Sequence, residues 1–391
     1  MDTQRFHNNW NYPTAIRVGP GRIGELAETC AALGMRAPLL VTDPGLADLP
    51  MVARALALCA QGGLQAGLFS SIKGNPNGKN VADGVAALRA GGHDGVIAMG
   101  GGSALDAGKA IALMAGQSRP IWDFEDVADN FKRVNASAMV PVVALPTTAG
   151  TGSEVGRSAV ITDEAAQLKR IIFHPRMLPA AVILDPQLTL DLPAGITAAT
   201  GMDALSHNLE AFCAPAFHPM AEGIALEGIR LVKEYLPRAV ADGRDLEARQ
   251  QMLVASSMGA TAFQRGLGAM HALAHPIGAL YDKHHGTINA VLMPYVLQAN
   301  RAAIGEPMAR LARYLDLPGE GFAAVMQWVL ELREMIGIPN TLEEIGIDSA
   351  RADLLGELAA ADPSAGSNPI ALNAAAYREI FCRAFSGALN L

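Results

Sequence analysis

The sequence predicts an α/β domain built on a parallel sheet, followed by an all-α domain. From about residue 15 to residue 190, short β-rich runs alternate with longer amphipathic stretches. Such alternation is typical of parallel strands that are joined by crossover helices. From residue 197 onward, nearly every segment has the pattern of a helix with short loops. A chain of 391 residues also exceeds one ordinary core, so we predict domains at 1–190 and 191–391.

The elements of the first domain are predicted from β-rich runs and from helical periodicity. Strands are expected at 15–18, 38–42, 64–70, 95–99, 140–145, 158–162 and 181–184. Helices are expected at 23–33, 51–60, 81–90 and 104–115. In the second domain, the segment 362–369 is predicted to be a loop.

Composition and charge exclude several classes of protein. Half of the residues are hydrophobic, yet no apolar stretch approaches the roughly 18 residues of a membrane span, so we expect no membrane partner. The net charge is -8 and the 30 basic residues are scattered, which argues against nucleic acid. The segment 1–10 is polar without an apolar core, so we expect neither a secretory signal nor a transit peptide and predict a cytoplasmic protein.

The cysteines predict reduced thiols rather than disulfides or a thiolate zinc site. Cys30, Cys59, Cys213 and Cys382 are far apart in sequence and form no CxxC pair. Any metal site must therefore use other ligands.

A glycine turn is the first indication of a dinucleotide site. Residues 100–106, GGGSALD, follow an apolar strand and open a helix. Glycines allow close approach of phosphate, and the helix N-terminus attracts an anion. The alternative is a tight turn without a ligand, because the motif is not GxGxxG.

Three further features could contact the same ligand. Asp43 ends a predicted strand, where a carboxylate could accept both ribose hydroxyls and favour NAD over NADP, although it could also only stabilise the turn before Pro44. The run PTTAGTGSE at 146–154 offers hydroxyl and backbone donors, as an idle polar loop also would. Lys169 could add a charge, although a single lysine is usually just solvated.

Histidines and one aspartate cluster in the predicted all-α domain. Asp203 and His207 lie four residues apart on a predicted helix, so both project from one face. His271 and His275 repeat this spacing, and a predicted loop supplies His284 and His285. Single histidines are more often core or surface residues, but this clustering predicts a metal site. Oxygen and imidazole ligands suit Fe²⁺, Zn²⁺, Mn²⁺ or Co²⁺.

Long motifs together resemble one family, the iron-containing (group III) alcohol dehydrogenases. The motifs are GGGSALD at 100–106, ALPTTAGTGSEV at 144–155, ILDP at 183–186, GMDALSHNLEAF at 201–212 and HALAHPIGALYDKHHGTINA at 271–290. The family includes lactaldehyde reductases, 1,3-propanediol dehydrogenases and 4-hydroxybutyrate dehydrogenases. The resemblance covers nearly the whole chain and implies a dehydroquinate synthase-like architecture, with a dinucleotide-binding domain and a metal-binding domain.

The resemblance also implies site residues. The metal ligands would be Asp203, His207, His271 and His285, with His275 beside the metal and His284 further out. The NAD contacts would fall on the glycine turn and its neighbours, namely Asp43, Asn75, Gly101, Gly102, Ser103, Thr147, Thr148 and Lys169. Two departures from the family pattern affect the substrate pocket. Gly156 stands where many members have Thr, and the segment that leads to His271, Phe263-Gln264-Arg265-Gly266, is one residue shorter than usual.

We therefore expect an alcohol dehydrogenase or aldehyde reductase with one divalent ion, Fe²⁺ or Zn²⁺, acting on a small alcohol, diol or hydroxy acid. The ion would polarise the substrate oxygen while hydride passes to or from NAD. His275 could relay the hydroxyl proton or could simply pack. A homo-oligomer of two or more chains is also expected.

Two alternatives remain at this stage. Followed backwards, the helix of His271 is expected to carry Gln264 roughly two turns away on the same face and Arg265 roughly a third of a turn off it. If Arg265 reaches the pocket, a terminal carboxylate would fit, as in 4-hydroxybutyrate; otherwise Arg265 faces solvent or a surface acid. A sugar-phosphate lyase like dehydroquinate synthase is more remote, because the segment 197–212 carries no Lys or Arg for a substrate phosphate.

Overall fold

The computed structural model describes residues 12–166 and 168–389. The chain divides into two units between Leu192 and Pro193. The segment 1–10, on which the expectation about targeting rests, lies outside the described residues. Among the described helices, none combines the length and the apolar character that crossing a bilayer requires.

The first unit contains eight strands within its described residues: β1 (Ala15–Val18), β2 (Pro38–Val41), β3 (Gly67–Phe69), β4 (Gly95–Gly100), β5 (Val142–Pro146), β6 (Ser158–Asp163), β7 (Leu168–Phe173) and β8 (Ala181–Leu184). Six of them form a parallel sheet in the order β1-β8-β5-β4-β2-β3. Its helices are α1 (Leu26–Ala32), α2 (Pro44–Ala47), α3 (Pro50–Gln61), α4 (Gly78–Ala90) and α5 (Gly102–Met114).

Helices cover both faces of this sheet. Val96 and Ala98 of β4 belong to a core with residues of α4 and α5. Ile97 and Met99, which alternate with them, belong to a core with residues of α1 and α3. Parallel strands buried on both faces appear in sequence as continuous apolar runs, and this is why the sequence pattern predicted them.

The strand order places a topological switch point between β2 and β4. The chain passes from β2 outward to β3, whereas from β4 it passes to β5 on the opposite side. The connections therefore diverge beyond the carboxyl ends of β2 and β4, which is where ligands bind in open α/β sheets.

Strands β6 and β7 form a separate antiparallel hairpin. Residues 158–162 were expected to be one more strand of the α/β pattern, and β7 was not expected at all. The sequence of β7, LKRIIF, has two basic residues and is mostly half-buried, so it gives no continuous apolar run. The predicted strand 64–70 is also shorter in the structure, because only Gly67–Phe69 pairs with β2.

Within residues 193–389 the second unit consists of helices joined by turns and loops. Its α-helices are α6 (Ala194–Cys213), α7 (Pro219–Ala241), α8 (Leu246–Ala262), α9 (Ala269–Tyr281), α10 (His285–Asn300), α11 (Gly305–Tyr314), α12 (Gly321–Met335), α13 (Ala352–Ala361) and α14 (Ala374–Ser386). The predicted loop 362–369 contains a short 3₁₀ helix, Pro363–Ser367. The predicted fold class, a parallel α/β domain followed by an all-α domain, is confirmed.

Helix α6 is the central element of the second unit. It packs against α7, α8 and α10, and every residue from Thr197 to Phe212 is buried. Polar side chains on this helix are therefore held inside protein, where they need partners.

The four cysteines are free thiols. Cys30 and Cys59 are buried, and burial raises the pKa of Cys30 to about 12 and that of Cys59 to about 11. Cys213 and Cys382 are partly exposed. The raised pKa values disfavour the thiolate form of Cys30 and Cys59, which is the form that binds a metal.

Candidate active site

Three acidic or imidazole side chains lie along one face of α6. Asp203, His207 and Glu210 are four and three residues apart, which brings them onto the same side of a helix. Each is nearly inaccessible to solvent, with exposures of 3%, 3% and 6%. Ionisable groups at this depth require hydrogen bonds or a cation.

Helices α9 and α10 bring two more imidazoles to this face. Nε2 of His271 lies 2.9 Å from Nε2 of His207, and Nε2 of His285 lies 3.7 Å from Oδ1 of Asp203. Position 286, next to His285, requires a glycine, because a Cβ on Gly286 would lie 2.3 Å from the main-chain carbonyl oxygen of Ala199 in α6. The side chain of His285 is 25% exposed, so the cluster is most open on its side.

The structure corrects the predicted setting of His285. His284 does end the exposed loop before α10, as predicted, whereas His285 lies in the helix. His284 is the N-cap of α10, where its Nδ1 accepts a hydrogen bond from the Thr287 N–H at 3.4 Å, and His285 is the first helical residue. The sequence carried no marker for this helix start, because histidine is not a common N-cap.

Asn289, which the sequence did not single out, completes the inner face of the cluster. Its Nδ2 donates to Oδ1 of Asp203 at 2.9 Å and lies 3.3 Å from Nε2 of His271 and 3.1 Å from Nε2 of His285. Its Oδ1 is buried without a hydrogen-bond partner. The available signal was an amide four residues after His285, inside the apolar run of α10.

These donors fit one divalent cation. The ligand atoms of Asp203, His207 and His271 all lie within 4.8 Å of one another and are buried. Ligands about 2.0–2.1 Å from a tetrahedral ion lie about 3.3 Å apart, and the separations of 2.9 Å and 3.7 Å above bracket that value. One carboxylate with imidazoles suits ferrous iron or zinc.

Glu210 sets the protonation of His271. Oε2 of Glu210 accepts the Nδ1–H of His271 at 2.6 Å, which leaves the lone pair of Nε2 pointing into the cluster. Burial opposes charging of this imidazole, but the hydrogen bond to Glu210 and the negative charges of Glu210, Asp203 and Asp362 together outweigh it, so the pKa of His271 is raised. A metal must therefore compete with a proton for Nε2.

His275 lies next to the cluster and faces a second carboxylate. Its Nδ1 donates to Oδ2 of Asp362 at 2.8 Å, and its ring stacks on that of His285 with centroids 5.6 Å apart. Burial opposes ionisation of Asp362, but the charge and hydrogen bond of His275, with hydrogen bonds from Ser364, hold the pKa of Asp362 below its usual value.

The predicted substrate residues do not lie on the helix of His271. Phe263, Gln264 and Arg265 form a 3₁₀ turn after α8, and Gly266, with φ of 136°, breaks the chain direction before α9 begins. The reading of this segment as a continuation of the metal-binding helix is therefore wrong. Of the three, Phe263 is close to the cluster, with its ring centroid 5.3 Å from that of His207.

Arg265 is engaged elsewhere. Its guanidinium donates to three main-chain carbonyl oxygens, those of Ala211, Phe212 and Ala216, and lies 3.1 Å from a carboxylate oxygen of Glu222. Its side chain is only 11% exposed. It closes the C-terminal end of α6, and in this arrangement its donors are not available to a substrate carboxylate. Gln264 likewise donates to the carbonyl of Thr261 at 2.8 Å.

In the first unit, the predicted dinucleotide residues meet at the switch point. Asp43 follows β2 and its Oδ1 accepts the Leu46 N–H at 3.1 Å. Gly101 and Gly102 follow β4, and a Cβ on them would lie 3.3 Å from the Thr148 hydroxyl and 2.5 Å from the Thr151 hydroxyl respectively. The Thr148 and Thr151 side chains therefore pack directly against the glycine turn, which leaves no room for a Cβ on Gly102.

The remaining predicted contacts line the same edge of the sheet. Thr147 follows β5 and its N–H donates to the carbonyl of Gly100 at 2.9 Å, while Ser103 lies in the first turn of α5. Asn75 has a left-handed φ of 51°. Nζ of Lys169 in β7 donates to Oδ1 of Asn75 at 2.8 Å, so the hairpin contributes a positive charge to this edge.

A glycine turn at a sheet switch point and a buried imidazole-carboxylate cluster together fit a metal-dependent, dinucleotide-linked dehydrogenase. Comparison with known families specifies which. The "Iron-containing alcohol dehydrogenase" family matches residues 13–186, and "Fe-containing alcohol dehydrogenase family, C-terminal" matches residues 197–385. The chain belongs to the iron-containing alcohol dehydrogenase family and is an oxidoreductase that acts on CH–OH donors. The alternative of a sugar-phosphate lyase is thereby set aside.

The relatives cover almost the whole chain. The 4-hydroxybutyrate dehydrogenase of Cupriavidus necator is 40% identical over 379 residues, which span 94% of this chain and 97% of its own. The NAD-dependent methanol dehydrogenase of Bacillus methanolicus is 36% identical over 368 residues, 92% of this chain and 95% of its own. The crystal structure of a 1,3-propanediol oxidoreductase has a TM-score of 0.92 at 35% identity and covers 97% of this chain and 100% of its own.

Proposed function

We propose that the chain oxidises a small alcohol with NAD, or reduces the corresponding aldehyde, using one Fe²⁺ or Zn²⁺ ion held by Asp203, His207, His271 and His285. The observation that carries the proposal is the convergence of one carboxylate and the imidazole nitrogens inside the second unit. In this proposal residues 1–190 bind the dinucleotide and residues 191–391 bind metal and substrate.

The bound ion supplies Lewis acidity at the substrate oxygen, and the nicotinamide supplies or accepts the hydride. The protein residues have separate tasks. Asp203 brings a negative charge to an otherwise neutral ligand set, and Asn289 holds one of its oxygens. Glu210 keeps the lone pair of His271 directed into the cluster. The partial exposure of His285 leaves that side for substrate.

We further propose that His275 relays the hydroxyl proton. Asp362 accepts its Nδ1–H, so Nε2 is the atom that can take up a proton and pass it on. Replacing His275→Gln should lower kcat at least tenfold while the metal content per chain stays that of the wild type. An unchanged kcat would leave His275 with a packing role.

The cofactor is proposed to be NAD rather than NADP, bound at the switch point. The contacts would come from Asp43, Asn75, Gly101, Gly102, Ser103, Thr147, Thr148 and Lys169. A carboxylate at the end of β2 favours the free ribose hydroxyls and repels a 2′-phosphate. The similarity to an NAD-dependent methanol dehydrogenase supports the same choice.

Two substrate classes are supported by different observations. The 40% identity to a 4-hydroxybutyrate dehydrogenase favours a hydroxy acid. Arg265 is bonded to main-chain carbonyls and to Glu222. The one residue that the sequence suggested for binding a substrate carboxylate is therefore occupied, which favours an uncharged alcohol or diol. We propose the uncharged class first.

The experiment is a substrate panel with metal-reconstituted protein. NADH formation would be followed with 1-butanol, 1,3-propanediol and 4-hydroxybutyrate at equal concentrations. A higher kcat/KM for either uncharged substrate supports the first proposal, and a higher value for 4-hydroxybutyrate supports the second. No turnover with any alcohol would overturn both. A homo-oligomer in the cytoplasm completes the proposal, and light scattering on the purified protein tests its assembly.

A further inference from the structure

A carboxylate lies directly behind one of the proposed metal ligands. Oε2 of Glu210 accepts the Nδ1–H of His271 at 2.6 Å, and Oε1 accepts the main-chain N–H of Met270 at 2.7 Å. Glu210 is 6% exposed. Both oxygens are thus used on two neighbouring residues at the start of α9, and a carboxylate is the side chain that can accept at both places.

The same contacts fix where α9 begins. The N–H of Ala269 donates to Oδ1 of Asn368 at 3.1 Å, so two side chains from elsewhere in the unit cap adjacent N–H groups of this helix. The N-cap is Gly268, and a Cβ there would lie 2.9 Å from Oε1 of Glu210 and 2.9 Å from Oδ1 of Asn368. Only glycine lets both caps approach.

The direction of the hydrogen bond decides which ring nitrogen is available. A neutral imidazole carries one proton, and the nitrogen without it is the one that can bind a metal. Because an ionised Glu210 can only accept, the proton is held on Nδ1 of His271 and the lone pair is held on Nε2. That Nε2 is the atom 2.9 Å from Nε2 of His207.

We propose that Glu210 is a positioning residue of the metal centre, which fixes both the ring tautomer of His271 and the first turn of the helix that carries it. This inference rests on the proposed metal centre. Hydrogen bonds of this kind to ligating histidines contribute about 10–100-fold in metal affinity.

The variant Glu210→Gln tests the proposal with almost no change in volume. Its single carbonyl must face Met270, because the backbone N–H there cannot change from donor to acceptor. The amide N–H₂ then faces His271, whose Nδ1 must accept, so its proton moves to Nε2 and blocks the ligand position. We expect Co²⁺ affinity, measured by chelator competition, to fall about 10–100-fold, with altered visible absorption bands of any Co²⁺ that binds.

The matched control is Asn368→Ala. It removes the other cap of α9 without touching the ring of His271. We expect the Tm of the metal-free protein to fall by several degrees, with Co²⁺ affinity within about threefold of the wild type. If Glu210→Gln does not fold, Glu210→Asp is the substitute, because it withdraws the oxygens by about 1.5 Å and should also weaken Co²⁺ binding.

The outcomes separate this inference from the metal centre itself. Wild-type Co²⁺ affinity and spectrum in a folded Glu210→Gln or Glu210→Asp protein would overturn the role of Glu210, as would an equal loss of affinity in Asn368→Ala. The variant Asp203→Ala is measured in the same series. If it binds Co²⁺ as tightly as the wild type does, the proposed metal centre is wrong; if it loses binding while Glu210→Gln does not, only the present inference is wrong.

Discussion

Replacement of Asp43 should change the choice between NAD and NADP. The residue follows β2, and its Oδ1 caps α2 through the Leu46 N–H at 3.1 Å. Its Oδ2 lies 3.5 Å from the position that a Cβ on Gly100 would take, so this second oxygen faces the glycine turn. The variant Asp43→Asn keeps the volume and the capping acceptor and removes only the charge. The variant Asp43→Gly removes the cap as well.

The expected magnitude follows from the half-buried position of this carboxylate. A charged hydrogen bond to ribose hydroxyls contributes about 1.5–3 kcal/mol, or about 10–150-fold in kcat/KM for NAD. Repulsion of a 2′-phosphate adds about 1 kcal/mol per unit charge at 4 Å in water and more at a protein surface. We therefore expect Asp43→Asn to lower the NAD/NADP ratio of kcat/KM by about 100-fold. Asp43→Gly should add a loss of only about 0.3 kcal/mol in stability, because glycine is itself tolerated at an N-cap.

The assay compares initial rates with NAD⁺ and NADP⁺ at one saturating alcohol concentration, for the wild type and both variants. The reasoning fails if the wild type prefers NADP⁺, or if both variants keep the wild-type ratio. Either result would mean that Asp43 only caps α2 and that the adenosine ribose lies elsewhere.

Three further substitutions test separate parts of the structure. Gly102→Ala should raise KM for NAD at unchanged metal content, because its Cβ would lie 2.5 Å from the Thr151 hydroxyl; an unchanged KM argues against phosphate binding at this turn. Asn289→Leu should weaken metal binding about tenfold, because Asp203 loses its donor; equal affinity in a chelator titration would show that Asn289 only fills space. Arg265→Ala should lower stability by about 1–3 kcal/mol and reduce kcat/KM equally for 4-hydroxybutyrate and 1-butanol, whereas a loss confined to the acid would restore the carboxylate contact.

The sequence predicted most of the fold because buried strands and helices have characteristic apolar patterns. The four inner strands of the parallel sheet, β2, β4, β5 and β8, are buried along their whole length, so each is a short apolar run in the sequence. Strand β7 has no such run, because its two basic residues stay half-buried and pair across a hairpin. The segment forms a strand because it pairs with β6, and its own sequence gives no pattern that predicts this pairing.

The site was predictable only as far as helical geometry reaches. Four-residue spacing puts Asp203 and His207 on one face of α6, but no local rule states which other helix faces them. Glu210 lies on that same face, yet α6 is buried all round, so no apolar stripe distinguished its inner side. Arg265 shows the opposite error, because helical periodicity was extended through Gly266, where φ of 136° ends it.

The central claim is that turnover depends on one divalent ion at the cluster of Asp203, His207, His271 and His285. The most direct test is to remove metal with a chelator, confirm by circular dichroism that the helices remain, and measure NADH formation during titration with Fe²⁺ or Zn²⁺. We predict no activity without metal and full recovery at about one ion per chain. In His271→Ala, which lacks one proposed ligand, the same titration should restore little. Full activity of the thoroughly demetallated wild type would contradict the account.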